Sequence, residues 1–119
     1  MLRWSPKLYM ELKISRNPKR YKRILEKGKL VREIFCITLP VNGENIMEIY
    51  SSRELWFRYY RQKDMTIVGL ALTRENAYKL AAQMCLDLVT EMGDISPALF
   101  QQYITAEEVN SSEGVGEKP

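Results

Sequence analysis

Met-Thr-Ile-Val-Gly-Leu-Ala-Leu, residues 65–72, offers water almost nothing on either side of an extended chain. Thr66 alone is polar, so the segment lacks the in–out alternation of a half-buried strand. A strand that reads this way is covered on both faces, as in a sheet with helices above and below it. Gly69 allows another element to approach its backbone closely. Thr73 then reads as a helix N-cap, and 74–92 carries Ala77, Leu80, Ala81, Met84 and Leu88 on one stripe before Gly93 stops it. A buried strand that feeds a long helix argues for an α/β architecture.

The remaining elements are read around that pair. Glu33–Leu39 is β-branched and aromatic-rich, closes at Pro40, and reads as a strand. Val41-Asn42-Gly43 reads as a turn. Ile46, Ile49 and Tyr50, followed by Leu55, Trp56, Tyr59 and Tyr60, are helically spaced. They predict a helix over 44–61, with Ser51-Ser52 as the place where it could be interrupted. Asn17-Pro18 starts a short helix with Tyr21, Ile24 and Leu25 on its apolar stripe and Gly28 as its stop. Ser96-Pro97 starts a last one with Leu99, Phe100, Tyr103 and Ile104 apolar. Over 8–14, Leu8, Met10, Leu12 and Ile14 alternate with polar residues and favour a strand, although Ser5-Pro6 is also a good helix start.

The expected order is therefore β-α-β-α: a small, mostly parallel sheet of two or three strands packed with helices, plus a short C-terminal helix. Two strands are too few for a stable sheet. The third comes either from 8–14 or from another copy of the chain, which raises a homodimer. The expected domain is 1–109. Residues 110–119, Asn-Ser-Ser-Glu-Gly-Val-Gly-Glu-Lys-Pro, have the composition of a disordered tail.

Composition excludes more chemistry than it supports. The chain has no histidine, which removes Ser–His and Cys–His nucleophile pairs and Cys/His zinc sites. Its two cysteines cannot make a four-thiolate site. No Gly-rich phosphate loop is present. Asp, Glu, Lys or Tyr remain for catalysis, yet the spacing of Tyr9, Tyr21, Glu44, Glu48 and Glu54 does not bring them together. The expectation is a protein that is not an enzyme and takes no cofactor or metal. There is no apolar run of membrane-spanning length, the first residues lack the apolar core of a secretory signal, and the cysteines form no disulfide framework, so a cytosolic location is expected.

The net charge of +3 conceals a gradient. Residues 1–32 hold eleven Lys and Arg against Glu11 and Glu26, whereas 84–119 hold seven acids and Lys118. Such asymmetry fits a polyanionic partner or a polar contact between molecules, and the plainer account is that the two ends solvate the chain and partly neutralise each other. Lys19, Arg20, Lys22, Arg23 and Lys27 on the first helix are candidate phosphate contacts. Arg58 and Arg61 join them, because Leu-Trp-Phe-Arg-Tyr-Tyr-Arg-Gln-Lys (55–63) interleaves aromatics with cations as single-stranded nucleic-acid binders do. Aromatic spacings of three and four are equally what burial on a helix demands, with Phe57 left off that stripe.

In a parallel sheet, ligands sit beyond the C-terminal strand ends. That rule singles out Asn42, Thr73 and Arg74 as a candidate anion site, with free backbone N–H groups at the helix start. Ordinary capping explains the same residues. Cys36 falls in a buried strand and Cys85 near the apolar face of the long helix, where each acts as a small hydrophobe.

The stretch Ile67-Val68-Gly69-Leu70-Ala71, with Leu55-Trp56-Phe57-Arg58-Tyr59-Tyr60 before it and the Ala-containing helix after it, resembles small uncharacterised bacterial proteins over residues 33–90. That resemblance implies a compact α/β domain and brings no activity, cofactor or site residue. The function expected is a protein-interaction or regulatory module with an unknown protein partner. Nucleic-acid binding through the basic N-terminal region is one alternative, and small-anion binding at the strand ends is another.

Overall fold

The computed structural model describes residues 2–28, 33–40, 45–56 and 64–106. The chain runs β1 (Leu2–Met10), α1 (Leu12–Ser15), α2 (Pro18–Lys27), β2 (Phe35–Thr38), β3 (Glu48–Ser51), the helical residues 52–56 (α3), β4 (Met65–Ala71), α4 (Arg74–Met92) and α5 (Pro97–Thr105). The four strands form one sheet in the order β1-β4-β2-β3. β1 pairs with β4 in parallel, whereas β2 is antiparallel to both β4 and β3.

The apolar run over 65–72 is an interior strand, as its sequence demands. Val68, Leu70 and Ala71 have no exposed surface, and β4 lies between β1 and β2. The sheet separates two cores. Ile14, Tyr21, Leu25, Cys36, Tyr50, Leu55, Ile67 and Leu70 fill one side under α1 and α2. Ile37, Val68, Ala71, Ala77, Met84, Leu88, Phe100 and Ile104 fill the other under α4 and α5. Ile67 and Val68 point to opposite sides, but Leu70 shares the side of Ile67. A bulge accounts for the change of parity: Ile37 of β2 faces Gly69 and Thr38 faces Ile67, so Val68 has no opposite number.

The sheet corrects the expected topology in two respects. It has four strands rather than two or three, and a single parallel pair, so it is not mostly parallel. The error lies in 44–61. Residues 48–51 form an edge strand that pairs Ile49 with Ile37 and Tyr50 with Cys36, not a helix. The apolar spacing of Ile46, Ile49 and Tyr50 also fits a strand whose two faces are both apolar. Tyr50 joins the α2-side core, and Ile49 packs against the α4-side core. A helix does begin at 52, where a reciprocal cap starts it. The Glu54 N–H donates to Ser51 Oγ at 3.3 Å, and the Ser51 N–H donates to Glu54 Oε1 at 2.9 Å. That Ser-x-x-Glu box marks a helix start and therefore a strand end.

The third strand is the chain's own, so no strand need be borrowed from another copy. It spans Leu2–Met10 rather than 8–14, and Leu12–Ser15 is a helical turn. β1 makes an irregular detour at Ser5–Leu8, between the pairs Trp4–Ile67 and Tyr9–Gly69. Ser5 Oγ fastens this detour, accepting from the Lys7 N–H and donating to the Ile104 carbonyl of α5. Glu11 then ends the strand, because its Oε1 accepts from the Leu72 N–H at 2.7 Å and from Asn76 Nδ2 at 3.2 Å.

The other helices follow their local signals. α2 runs from Pro18 to a left-handed Gly28 (φ 69°), where a side chain would also overlap the Trp56 indole. Trp4 Nε1 donates to Glu26 Oε2 at 3.1 Å and holds α2 on the sheet. Thr73 Oγ1 accepts from the Asn76 N–H to cap α4, and Ser96 Oγ accepts from the Leu99 N–H to cap α5. No helix among the described residues is long and apolar enough to cross a membrane. The end of the expected 1–109 domain and the 110–119 tail lie outside the described residues.

Candidate functional site

α4 is apolar around more than half of its circumference. Its inward stripe, with Ala77, Met84 and Leu88 buried and Leu80 and Ala81 half-buried, packs on β4 and β2. At 100° per residue, Tyr78, Ala82, Cys85, Leu86, Val89 and Met92 form a second, adjacent stripe. That stripe is open to water: Tyr78 is 57%, Leu86 60%, Val89 42% and Met92 37% exposed. A helix apolar on two faces normally has a neighbour on each.

Two contacts orient the stripe. Tyr9 and Gln83 both bond Asp87, so the Asp87 flank of α4 looks toward β1 and α5. Arg74 lies with its guanidinium 5.0 Å from the Phe35 ring centroid, so the opposite flank looks toward β2. The second stripe therefore rises along the β2–β3 side. There Phe35, Leu39, Ile46, Met47 and Ile49 pack against the α4-side core and remain half-buried. α5 lies over β1 instead. The wall of α4 and the floor of β2–β3 together form one apolar shelf. Isolated exposed apolar residues are ordinary, whereas a contiguous run of them is the mark of a docking surface.

The candidate anion site does not assemble as expected. Asn42 lies outside the described residues. β2 runs antiparallel to β4, so it ends at Thr38 beside Ile67, and the Leu39 N–H reaches the Thr66 carbonyl. Thr73 follows the other end of β4. The premise that the C-terminal ends of these two strands lie together is thereby removed. Thr73 is engaged in capping, and Arg74 stacks on Phe35.

The basic candidates separate more clearly. Lys19, Arg20, Arg23 and Lys27 are exposed on α2, whereas Lys22 is half-buried with its ammonium 5.3 Å from the Trp4 ring centroid. Arg58 and Arg61 lie outside the described residues, as does Phe57. With Lys13 and Arg16, residues 12–27 carry seven cations against Glu26, on the side of the sheet where α1 and α2 pack. Asp87, Glu91 and Asp94 belong to the layer on the other side, with Glu75 and the cations Arg74 and Lys79. Among the described residues a basic face thus opposes a mildly acidic one.

A polar cluster that spacing had not predicted ties β1 to α4 and α5. The Tyr9 hydroxyl donates to Asp87 Oδ2 and, its one proton spent, accepts from the Tyr103 hydroxyl at 2.8 Å. Gln83 Nε2 donates to Asp87 Oδ1 at 2.7 Å, and Lys7 Nζ donates to the Tyr103 carbonyl at 3.1 Å. Burial, then the bonds to Asp87 and Tyr103, push the Tyr9 phenol well above its ordinary value, so it stays protonated. An open depression of about 330 Å³ beside it is lined by Pro6, Lys7, Leu8, Tyr9 and Tyr103. These groups satisfy one another and buttress the β1 detour. The other residues considered for histidine-free catalysis are elsewhere: Tyr21 is in the α2-side core, Glu48 accepts from the Tyr50 hydroxyl at 2.6 Å, Glu54 caps α3, and Glu44 is outside the described residues.

Both cysteines are free and sit on opposite sides of the sheet. Burial pushes the Cys36 thiol up and leaves it inert. Among the described residues no group of three or more Cys, Asp or Glu is arranged to hold a metal ion. No protein-family model, curated protein or solved structure matches this chain.

Proposed function

We propose that this chain is a non-catalytic, cytosolic protein-interaction module that docks its partner on the shelf between α4 and the β2–β3 hairpin. The outer α4 stripe carries this reading, because Tyr78, Leu86, Val89 and Met92 hold a contiguous apolar surface in water where a surface helix would ordinarily be polar. The lack of histidine and the mutual engagement of Tyr9, Asp87 and Tyr103 favour binding over chemistry. The test compares proteins retained from native extract by the full chain and by Val89→Glu. Val89 is 42% exposed, so the variant is expected to fold. Loss of specific partners with Val89→Glu supports the reading, and an unchanged set removes it.

A second reading rests on the basic face. Seven cations over residues 12–27 against one acid fit a polyanion such as nucleic acid, with an affinity that falls steeply with salt. Fluorescence titration of generic RNA and DNA at two salt concentrations decides it, and absence of binding at low salt rejects it. The small-anion reading has lost the geometric basis that a parallel sheet would have given it.

A further inference from the structure

We infer that the shelf is occupied by a second copy of this chain, with the two α4 helices antiparallel about a two-fold axis beside Cys85. This inference rests on the reading of the shelf as a docking surface and names its occupant.

Tyr78, Ala82, Cys85, Val89 and Met92 advance along α4 by four, three, four and three residues. That rhythm is the one by which two helices interlock side by side. The inner stripe of α4 is spent on its own sheet, so this second seam serves a helix from outside. The seam is also nearly symmetric about Cys85. Folded back on itself, it sets Tyr78 against Met92 of the partner subunit and Ala82 against Val89 of the partner subunit, a large or branched residue meeting a slimmer one each time. A two-fold interface requires such self-complementarity, because one patch supplies both halves.

Charge selects the antiparallel order. The last turn of α4 has no basic residue, and Glu91 and Asp94 stand at its negative dipole end. Arg74, Glu75 and Lys79 stand toward the other end, where Lys79 pairs with Glu75 at 3.7 Å and the balance is one positive charge. Antiparallel helices bring this net-positive, positive-dipole end beside the partner's acidic end, whereas a parallel pair sets the acidic ends side by side. A 19-residue helix is ~28 Å long. One such contact, with the floor of the shelf, falls near or below the ~800 Å² per side of a standard interface. The expected dissociation constant is therefore in the micromolar range, ~1–100 μM.

The purified full chain tests this by analytical ultracentrifugation up to ~0.5 mM, well above that range. A short bismaleimide gives a second readout. The two α4 axes are expected ~8–10 Å apart, so the linker spans two Cys85 thiols by simple addition. Cys36 is fully buried and does not compete. Expected are a concentration-dependent dimer, a covalent dimer lost in Cys85→Ser, and association weakened at least ~10-fold in Val89→Glu. Gln101→Glu, exposed on α5 and off the seam, should leave association unchanged. Orientation is read by mixing Tyr78→Cys with Met92→Cys, both in a Cys85→Ser background. Mixed cross-links support the antiparallel pair, and cross-links only within each variant overturn it. A chain monomeric throughout, or a dimer indifferent to Val89→Glu, overturns the proposal. If the purified chain is monomeric while Val89-dependent capture persists, the occupant is another protein, and the docking reading survives without the self-pairing. If Val89→Glu alters neither, both fall.

Discussion

A methyl group placed on Gly69 probes the close packing of β4, β2 and α4 in the core on the α4 side of the sheet. An added Cβ would lie 2.7 Å from Met84 Cε and 2.9 Å from Ile37 Cδ1, inside contact distance of both. Both atoms are ends of flexible side chains, so the strand need not break. Each must leave its packed position, and overpacking of this kind costs about 1–3 kcal/mol. Replacing Gly by Ala in a strand returns about 0.5–1 kcal/mol through the stiffer unfolded chain. The net expectation for Gly69→Ala is a loss of ~1–2 kcal/mol, or a fall in Tm of roughly 5–10 °C for a domain of this size. Urea denaturation followed by circular dichroism measures it as a lower midpoint at unchanged slope. Met84→Ala alone should cost about 2–5 kcal/mol by emptying a fully buried site. In that background the overlap with Met84 is gone and the one with Ile37 remains, so the methyl added at position 69 should cost less than it does in the wild type. A Gly69→Ala that is stabilising, or a penalty undiminished after Met84 is shortened, would refute the close approach of β4, β2 and α4.

Two further outcomes follow from the hydrogen-bond geometry. Tyr9→Phe removes the donor to Asp87 and should cost ~1–2 kcal/mol, discounted for partial exposure, as read from urea midpoints against the wild type. Folding raises the Tyr9 pKa above its ordinary value of 10.0, so its contribution is fully present below about pH 10 and falls as pH rises beyond it. The advantage of wild type over Tyr9→Phe should therefore shrink in that window, and a constant difference up to ~pH 11.5 would contradict the assigned bond. Ser51→Ala deletes one arm of the α3 cap and should cost about 1 kcal/mol, with faster amide exchange at Glu54 and Leu55.

What could be read along the chain was whatever its neighbours in sequence enforce. Asn17-Pro18 and Gly28, Thr73 and Gly93, and Ser96-Pro97 bound their helices within a residue of where α2, α4 and α5 lie. These are backbone groups satisfied within one turn, so no distant partner is needed. The apolar run at 65–72 was equally legible, because covering both faces leaves no choice of side. The Ser51-x-x-Glu54 box held the information that 44–61 is not one helix, but the apolar spacing at 46, 49 and 50 is compatible with either period. The second stripe on α4 was also present in the sequence. One apolar face suffices to account for a helix, so only the packing of α4 on the sheet shows that the second face is left over.

Tertiary structure alone decided strand direction, strand order and the company each polar group keeps. Whether β2 runs with or against β4 depends on how the chain returns from residue 51 to residue 65, and no local energy distinguishes the two. Tyr9 meets Asp87 and Tyr103 across separations of 78 and 94 residues, a proximity that only the stacking of α4 and α5 over β1 creates. The opposition of a basic face to a mildly acidic one has the same origin. Local signals are settled by hydrogen bonds within a few residues, whereas these arrangements are settled by which apolar surfaces find each other when the layers close.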